Sequence, residues 1–340
     1  MASDTVFDCF PDVAALFQRP SLDAWRTAAE TSLKGKPLEK LSKPTPEGLV
    51  IDPLYTDTDG HPNPGVPGAS PHVRGRTALG AGPTGWSSCQ AVTHPDPVAA
   101  AALAAEDCAK GVDAVWLHFD ASVRVAEEEI GIRRGDGIRL VGERDFDPFF
   151  EHLDFTEREV HLRAGSNTPA VAAAFLTAAR RHNVNPHALR GSLAFDPIGA
   201  LASDGVIPAG LEGGLALLAE LAGWSAVRAP NLRAVGVSSL VYHMAGANAV
   251  QELAYSMATA IEYLRALFDR GIEADSAADQ LIFRFGMGRD LFMEAAKLRA
   301  CRRLWSRIAD VCGISEDRQG AMIHAVASPR GMATRDAWVN

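Results

Sequence analysis

The sequence has little of what marks several large classes of protein. Only five cysteines occur in 340 residues, at Cys9, Cys89, Cys108, Cys301 and Cys312. None belongs to a CxxC pair or stands at zinc spacing from a histidine, so neither a metal site nor a disulfide framework is expected. The thiols read as free in a reducing, cytoplasmic compartment. No run of eighteen apolar residues occurs, which leaves no candidate membrane span. Positive charge is in deficit: 33 Lys and Arg against 42 Asp and Glu give a net charge of -9. Nucleic-acid binders usually carry a basic face, so no nucleic-acid partner is expected. The start, "MASDTVFDCFPDVAALF", has acids early and no basic stretch before an apolar core, and it reads as mature sequence. Histidines and acids lack HxxxH-type spacing. "GAGPTG" (80–85) lacks the Lys-Ser/Thr of a P-loop.

What is present is ordinary globular composition, 47% hydrophobic and 22% charged. Three zones follow. Residues 1–43 read as a helical arm, with "DVAALF" and "SLDAWRTAAETSLKG" at helical spacing. Residues 44–83 are rich in Pro and Gly, and predict an extended segment laid over another surface. From 84 to 340, short apolar runs alternate with helical patterns. The runs are "GWSSCQAV", "DAVWLHF", "EVHLRA", "GSLAF", "RAVGVSS", "QLIFRFG" and "AMIHAVA". Such alternation predicts a parallel sheet covered by helices, an α/β fold of the (β/α)8 TIM-barrel type. Seven strands are one short of closure. The eighth is then expected beyond Asn340, the sheet is open, or "GIRLVG" (137–142) is a further strand. Asp96-Pro97 and Thr168-Pro169 read as N-cap and N1 proline, and Asn248 with Gln251 as a capping box.

Two helices carry apolar stripes: Leu253, Met257, Ile261, Leu264 and Phe268, then Leu298, Cys301, Trp305, Ile308 and Cys312. Both predict packing against the sheet. The basic cluster Lys297, Arg299, Arg302, Arg303 and Arg307 reads as a mostly solvated opposite face, with a subunit contact as the other reading.

Two long segments, "YHMAGANAVQELAYSMATAIEYLRALFDRGI" and "QLIFRFGMGRDLFMEAAKLRACRRLWSRI", resemble the barrel domain of the methylmalonyl-CoA mutase family. "TPEGLVIDPLY", "PGASPHVRG" and "GWSSCQ" resemble that family's leading segment in the same order, and "ASPRGMATRDAWVN" its late barrel. The resemblance runs from about residue 44 to the end. It implies a barrel fused to a C-terminal cobalamin domain, whose Asp-x-His-x-x-Gly signature does not occur in these 340 residues, as expected if the chain ends before that domain. It implies adenosylcobalamin-dependent radical interconversion of methylmalonyl-CoA and succinyl-CoA, with CoA threading the barrel axis. It also implies a catalytic chain paired with a related small subunit.

The departures favour the small subunit. In the catalytic pattern an essential tyrosine follows the Arg-Gly matched here by Arg74-Gly75, yet no tyrosine lies between Tyr55 and Tyr242. An arginine should precede the glutamine matched by Gln90, and Cys89 stands there instead. Asp196 survives, but the carboxylate-gripping arginine falls near Asp204, whose charge is expected to repel a dicarboxylyl substrate. His243 matches the histidine that bonds the thioester carbonyl. Without the other groups it is expected to be a remnant satisfied by local hydrogen bonds. His118 near Asp120, and His161, are weaker candidates, facing either the core or the barrel mouth. Arg74, Gln90 and Asp196 are candidate substrate or cofactor contacts by family position alone, and no metal ligands are expected.

The expected function is that of a small subunit supporting a catalytic large subunit in a heterodimer. Adenosylcobalamin then belongs to the complex and not to this chain, and acyl-CoA is met through the complex. Two other readings are an active acyl-CoA mutase chain with an altered substrate, and a cobalamin-independent CoA-ester-binding barrel.

Overall fold

The computed structural model describes residues 20–56, 65–79, 86–126 and 136–340. Cys9, the "DVAALF" helix and "GAGPTG" lie outside the described residues. The chain divides into two compact units, Met1–Pro62 and Asn63–Asn340.

In the first unit, helix α1 (Leu22–Ser32) starts where Ser21 Oγ accepts the Ala24 amide at 3.1 Å. Strands β1 (Lys43–Pro44) and β2 (Val50–Ile51) pair antiparallel across a turn in which Gly48 takes φ +82°. No residue of α1 is buried, and Leu49, Val50, Ile51, Leu54 and Tyr55 are all exposed.

The second unit runs β3 (Cys89–Val92), α2 (Pro97–Ala109), β4 (Ala114–His118), α3 (Ala121–Val125), α4 (Asp147–His152), β5 (Glu159–Arg163), α5 (Thr168–Arg181), β6 (Arg190–Phe195), α6 (Pro197–Asp204), α7 (Gly210–Arg228), β7 (Leu232–Ser238), α8 (Leu240–Met244), α9 (Ala249–Phe268), α10 (Ala274–Gln280), β8 (Leu281–Met287), α11 (Leu291–Val311) and β9 (Ile323–Ala327). The seven strands β3 to β9 pair in sequence order, every pairing parallel. They form a curled half-barrel, a TIM-type sheet lacking a strand. "GIRLVG" supplies no strand: Ile138 makes one isolated parallel bridge to Phe119. Residues 65–79 lie on this unit. Buried His72 is 3.0 Å through Nε2 from Glu316 O, and Arg302 donates to Val73 O at 3.5 Å.

The helices start as their capping chemistry dictates. Asp96, Asp120, Asp196 and Asp290 each accept an amide three residues on, and Asn248 and Gln251 close a reciprocal capping box. Thr168 is different from expectation. Asn167 is the N-cap and Thr168 is already helical, its hydroxyl donating instead to Gly165 O at 2.8 Å. A 3-10 turn over Gly165–Asn167 feeds directly into α5, and this shifts the start by one residue.

Two apolar clusters form the core. One gathers Phe119, Phe146, Phe149 and Phe175 under α2, α4 and α5; the other gathers Phe195, Tyr263, Phe283, Phe285 and Trp305 under α7, α9 and α11. Each fully buried ring contributes about 2–3 kcal/mol of transfer free energy. The α9 stripe buries Leu253, Met257 and Leu264, with Ile261 and Phe268 half-buried. On α11, Arg299, Arg303 and Arg307 are exposed as expected, but Lys297 is buried. It stands one turn before Cys301 and two before Trp305, on the apolar stripe itself. Its charge is offset by Glu294 at 2.7 Å and Glu252 at 3.2 Å.

Candidate functional site

Because the sheet curls, side chains from strands that are not neighbours meet inside it. Trp116 on β4, His161 on β5 and Ser192 on β6 stand in one register, and Arg284 on β8 stands level with His324 on β9. The Arg284 guanidinium lies 4.5 Å from the Trp116 ring centre. His324 meets Trp116 edge-on at 5.0 Å and His161 at 5.3 Å. His161 Nδ1 is 2.8 Å from Ser192 Oγ. These five side chains form a layer across the interior, as barrel strands do where they fill their own axis. Two residues further toward the carboxyl ends, on the same face, His118 pairs with Arg163.

This interior is cationic. Burial first, and then the neighbouring arginines, pushes His118 and His324 down to about 2, so both rings are neutral. Burial, then Arg163, lowers Arg284 to about 10, and it remains charged at neutral pH.

Above the layer opens a cavity of about 500 Å³, lined by Arg124, Arg163, Arg284, Asp196, Asp204 and the apolar side chains of Leu240, Val241 and Met244 on α8, among others. Here one expectation fails. Asp204 does not confront the cavity as an isolated carboxylate, because Arg124 lies 3.5 Å from it and 3.3 Å from Asp136. The repulsion argument took Asp204 alone; Arg124, brought in by α3 far earlier in the chain, offsets its charge.

Asp196 lines the cavity but is committed to structure. Its Oδ1 accepts the Gly199 amide at 2.9 Å and the Tyr263 hydroxyl at 2.5 Å, and its Oδ2 accepts the Ser238 amide at 2.9 Å. Burial raises its pKa, and these three donors oppose the rise. His243 sits not at the strand end but on α8, one short helical turn beyond β7. It is buried, with Nδ1 2.7 Å from Glu252 Oε1 and Nε2 2.6 Å from Ser328 Oγ, and it does not line the cavity. Arg74 is exposed on a loop and donates to Gly65 O at 3.4 Å. Gln90 is exposed on β3. Neither lines the cavity. Of the family-matched residues His243, Arg74, Gln90 and Asp196, only Asp196 does; of the weaker candidates, His118 lines it and His161 lies in the layer below.

Cys89 is half-buried, and burial above all pushes its thiol up to about 12, so it brings no charge to this position. All four described cysteines are free. Among the described residues, no group of three His, Cys, Asp or Glu is placed to hold a metal ion, and no helix is long and apolar enough to cross a membrane.

The family model for methylmalonyl-CoA mutase matches residues 44–340. The chain belongs to the methylmalonyl-CoA mutase family. It is 38% identical over 332 residues to the methylmalonyl-CoA mutase small subunit of Streptomyces virginiae, covering 96% of this chain and 48% of that protein. It is 30% identical over 339 residues to the methylmalonyl-CoA mutase small subunit of Propionibacterium freudenreichii subsp. shermanii, covering 96% of this chain and 50% of that one. A methylmalonyl-CoA mutase of Cereibacter sphaeroides is 31% identical over 298 residues, 84% of this chain and 42% of its own length. The chain therefore spans about half the length of the curated relatives it matches.

Sequence reasoning missed Trp116, Arg163 and Arg284 as parts of this mutase-family barrel's interior. A signal was present for two of them. Arg284 interrupts the apolar run "LIFRFGM", and Arg163 stands two residues after His161, on the same face of β5.

Proposed function

We propose that this chain is the small subunit of a methylmalonyl-CoA mutase. It supports a catalytic large subunit in a heterodimer that interconverts methylmalonyl-CoA and succinyl-CoA with adenosylcobalamin, and it has no complete active site of its own. The observation that carries this reading is the crowded axis. Arg284 packs on Trp116, and His324 meets both Trp116 and His161, so side chains crowd the interior at the level where a CoA chain would thread it, which supports this reading. The names of two relatives support the same role.

The described residues do not fit the cobalt group. His243 has both ring nitrogens bonded, and the ring of His118 is wedged against Trp116, 3.8 Å between centres. His118 Nε2 faces the cavity without a partner, but among the described residues no further His, Cys, Asp or Glu is grouped with it to hold a metal. His243 then acts as a structural histidine that fastens α8 to α9 and to the end of β9. The described residues of the first unit support a partner-binding role, since α1 buries none of its residues and Leu49, Val50, Ile51, Leu54 and Tyr55 are exposed. The free thiols suit a cytoplasmic complex.

The test is co-expression with a catalytic mutase chain, followed by size-exclusion chromatography. Co-elution is expected, and its loss when residues 1–62 are removed. A chain that never co-elutes, or that alone turns over methylmalonyl-CoA with adenosylcobalamin, defeats the reading.

A further inference from the structure

The cavity at the barrel mouth has charges that its own carboxylates answer only from beyond ion-pairing distance, Asp204 and Asp136 for Arg163 and Asp196 for Arg284. Of its three arginines, Arg124 is paired with Asp136 and Asp204. Arg163 and Arg284 have no carboxylate within ion-pairing distance among the described residues. Arg284 is only 7% exposed, and its recorded contacts are the face of Trp116 and a weak 3.4 Å approach of Nε to His324 Nδ1. Asp196 is saturated by Gly199, Ser238 and Tyr263. Two more polar atoms at the same place, Trp116 Nε1 and His118 Nε2, are buried without a hydrogen-bond partner among the described residues. Both residues line the cavity.

Buried charge without a counter-charge is costly, and buried polar atoms are seldom left unpaired. One guest would answer all of these groups at once. It must be anionic, to sit between two guanidiniums. A carboxylate matches the planar fork of a guanidinium in two parallel hydrogen bonds. It must also carry carbon, because much of the wall is apolar, including Leu240, Val241, Met244 and Val326. It must be short, because Trp116, His161 and His324 close the floor.

We propose that the barrel mouth binds a small organic carboxylate, free of any CoA tail, between Arg163 and Arg284. Arg124 with its two aspartates forms the fixed side wall. The ligand stays at the mouth and reads neither Arg74 nor Gln90, which lie outside the cavity. The site does not depend on the subunit role: it belongs to this chain alone, with or without a partner.

The experiment is isothermal titration calorimetry on the full chain with succinate, butyrate, inorganic phosphate and succinyl-CoA, beside Arg284→Met and Arg163→Met. At least one of the free carboxylates binds with a dissociation constant of about 1 mM or tighter. Each substitution weakens binding by about tenfold or more. Thermal melting separates this from a merely structural arginine. The ligand-free Arg284→Met chain melts no lower than the parent, because an unanswered charge has gone, and it loses the melting shift that the carboxylate gives the parent. Four results overturn the proposal. They are no carboxylate binding at millimolar concentration, binding unchanged in both variants, phosphate binding as well as the carboxylates, or succinyl-CoA binding more tightly than succinate. Failure to co-elute with a catalytic chain bears only on the subunit reading.

Discussion

Glu252 Oε1 lies 2.7 Å from His243 Nδ1 and 3.2 Å from Lys297 Nζ, so one carboxylate oxygen holds α8, α9 and α11 together. Its other oxygen accepts the Ser239 hydroxyl at 2.8 Å, and Lys297 also donates to Gly286 O at 2.7 Å. All of this is buried. Removing one partner strands the others, and that is where the cost of a buried ion network arises. Glu252→Ala is expected to lower stability by about 3–5 kcal/mol. Ser239→Ala, which removes one neutral donor, should cost about 1–3 kcal/mol. Urea denaturation followed by circular dichroism ranks the two, and equal losses would refute the network.

Gly286 leaves room for the histidine ring. A Cβ built there would lie 2.7 Å from His243 Cδ2 and 2.8 Å from Cγ. Gly286→Ala must therefore displace the ring from Glu252 or Ser328. The expected loss is about 1–3 kcal/mol, as for overpacking elsewhere. Imidazole proton NMR should show the downfield resonance of the His243–Glu252 hydrogen bond weakened or lost in the variant.

The interior histidines make stability depend on pH. His118 and His324 stay neutral when folded, at about 2, whereas a histidine in the unfolded chain titrates near 6.5. Between those values the unfolded chain binds more protons than the folded one. Stability is thus complete above about pH 6.5 and falls as pH drops toward 2, each ring contributing a limiting slope of about 1.4 kcal/mol per pH unit. Urea midpoints measured from pH 8 to pH 5 should be flat at first and then decline. The decline should be shallower in His118→Gln and His324→Gln.

Thiol reactivity should follow burial. Cys301 is fully buried and burial pushes it up to about 12, while Cys312 is half-buried with a smaller rise from the same cause. Mass spectrometry after timed alkylation at pH 8 should find Cys312 modified well before Cys301 and Cys108. The latter two should react only when urea unfolds the chain.

Much of this fold can be read from the sequence, because each strand is a short apolar run and each helix has a polar start signal. The seven runs became the seven strands, and Asp96 and Asn248 cap where their side chains dictate. Lys297 was misjudged because its burial depends on Glu252, which lies on another helix and is brought opposite only by packing. Its stripe position was visible, and its partner was not. The site residues fared less well for a related reason. Arg74, Gln90, Asp196 and His243 were taken one at a time from a family pattern, whereas the cavity is made by side chains meeting across a curled sheet. Arg284 reaches Trp116 from a strand far along the chain. Strand periodicity tells which face a residue takes, but not which residue waits on the other side.

In the sheet from β3 to β9, every strand's neighbour in space is also its neighbour in the chain. No strand has to hold a place open for a distant one. A polypeptide emerging from the ribosome could add each βα unit to a finished edge, keeping the loops that must close short at every step. The growing edge is always the latest strand. During synthesis one row of unpaired backbone groups moves along with it, while a second stays fixed on the outer side of β3.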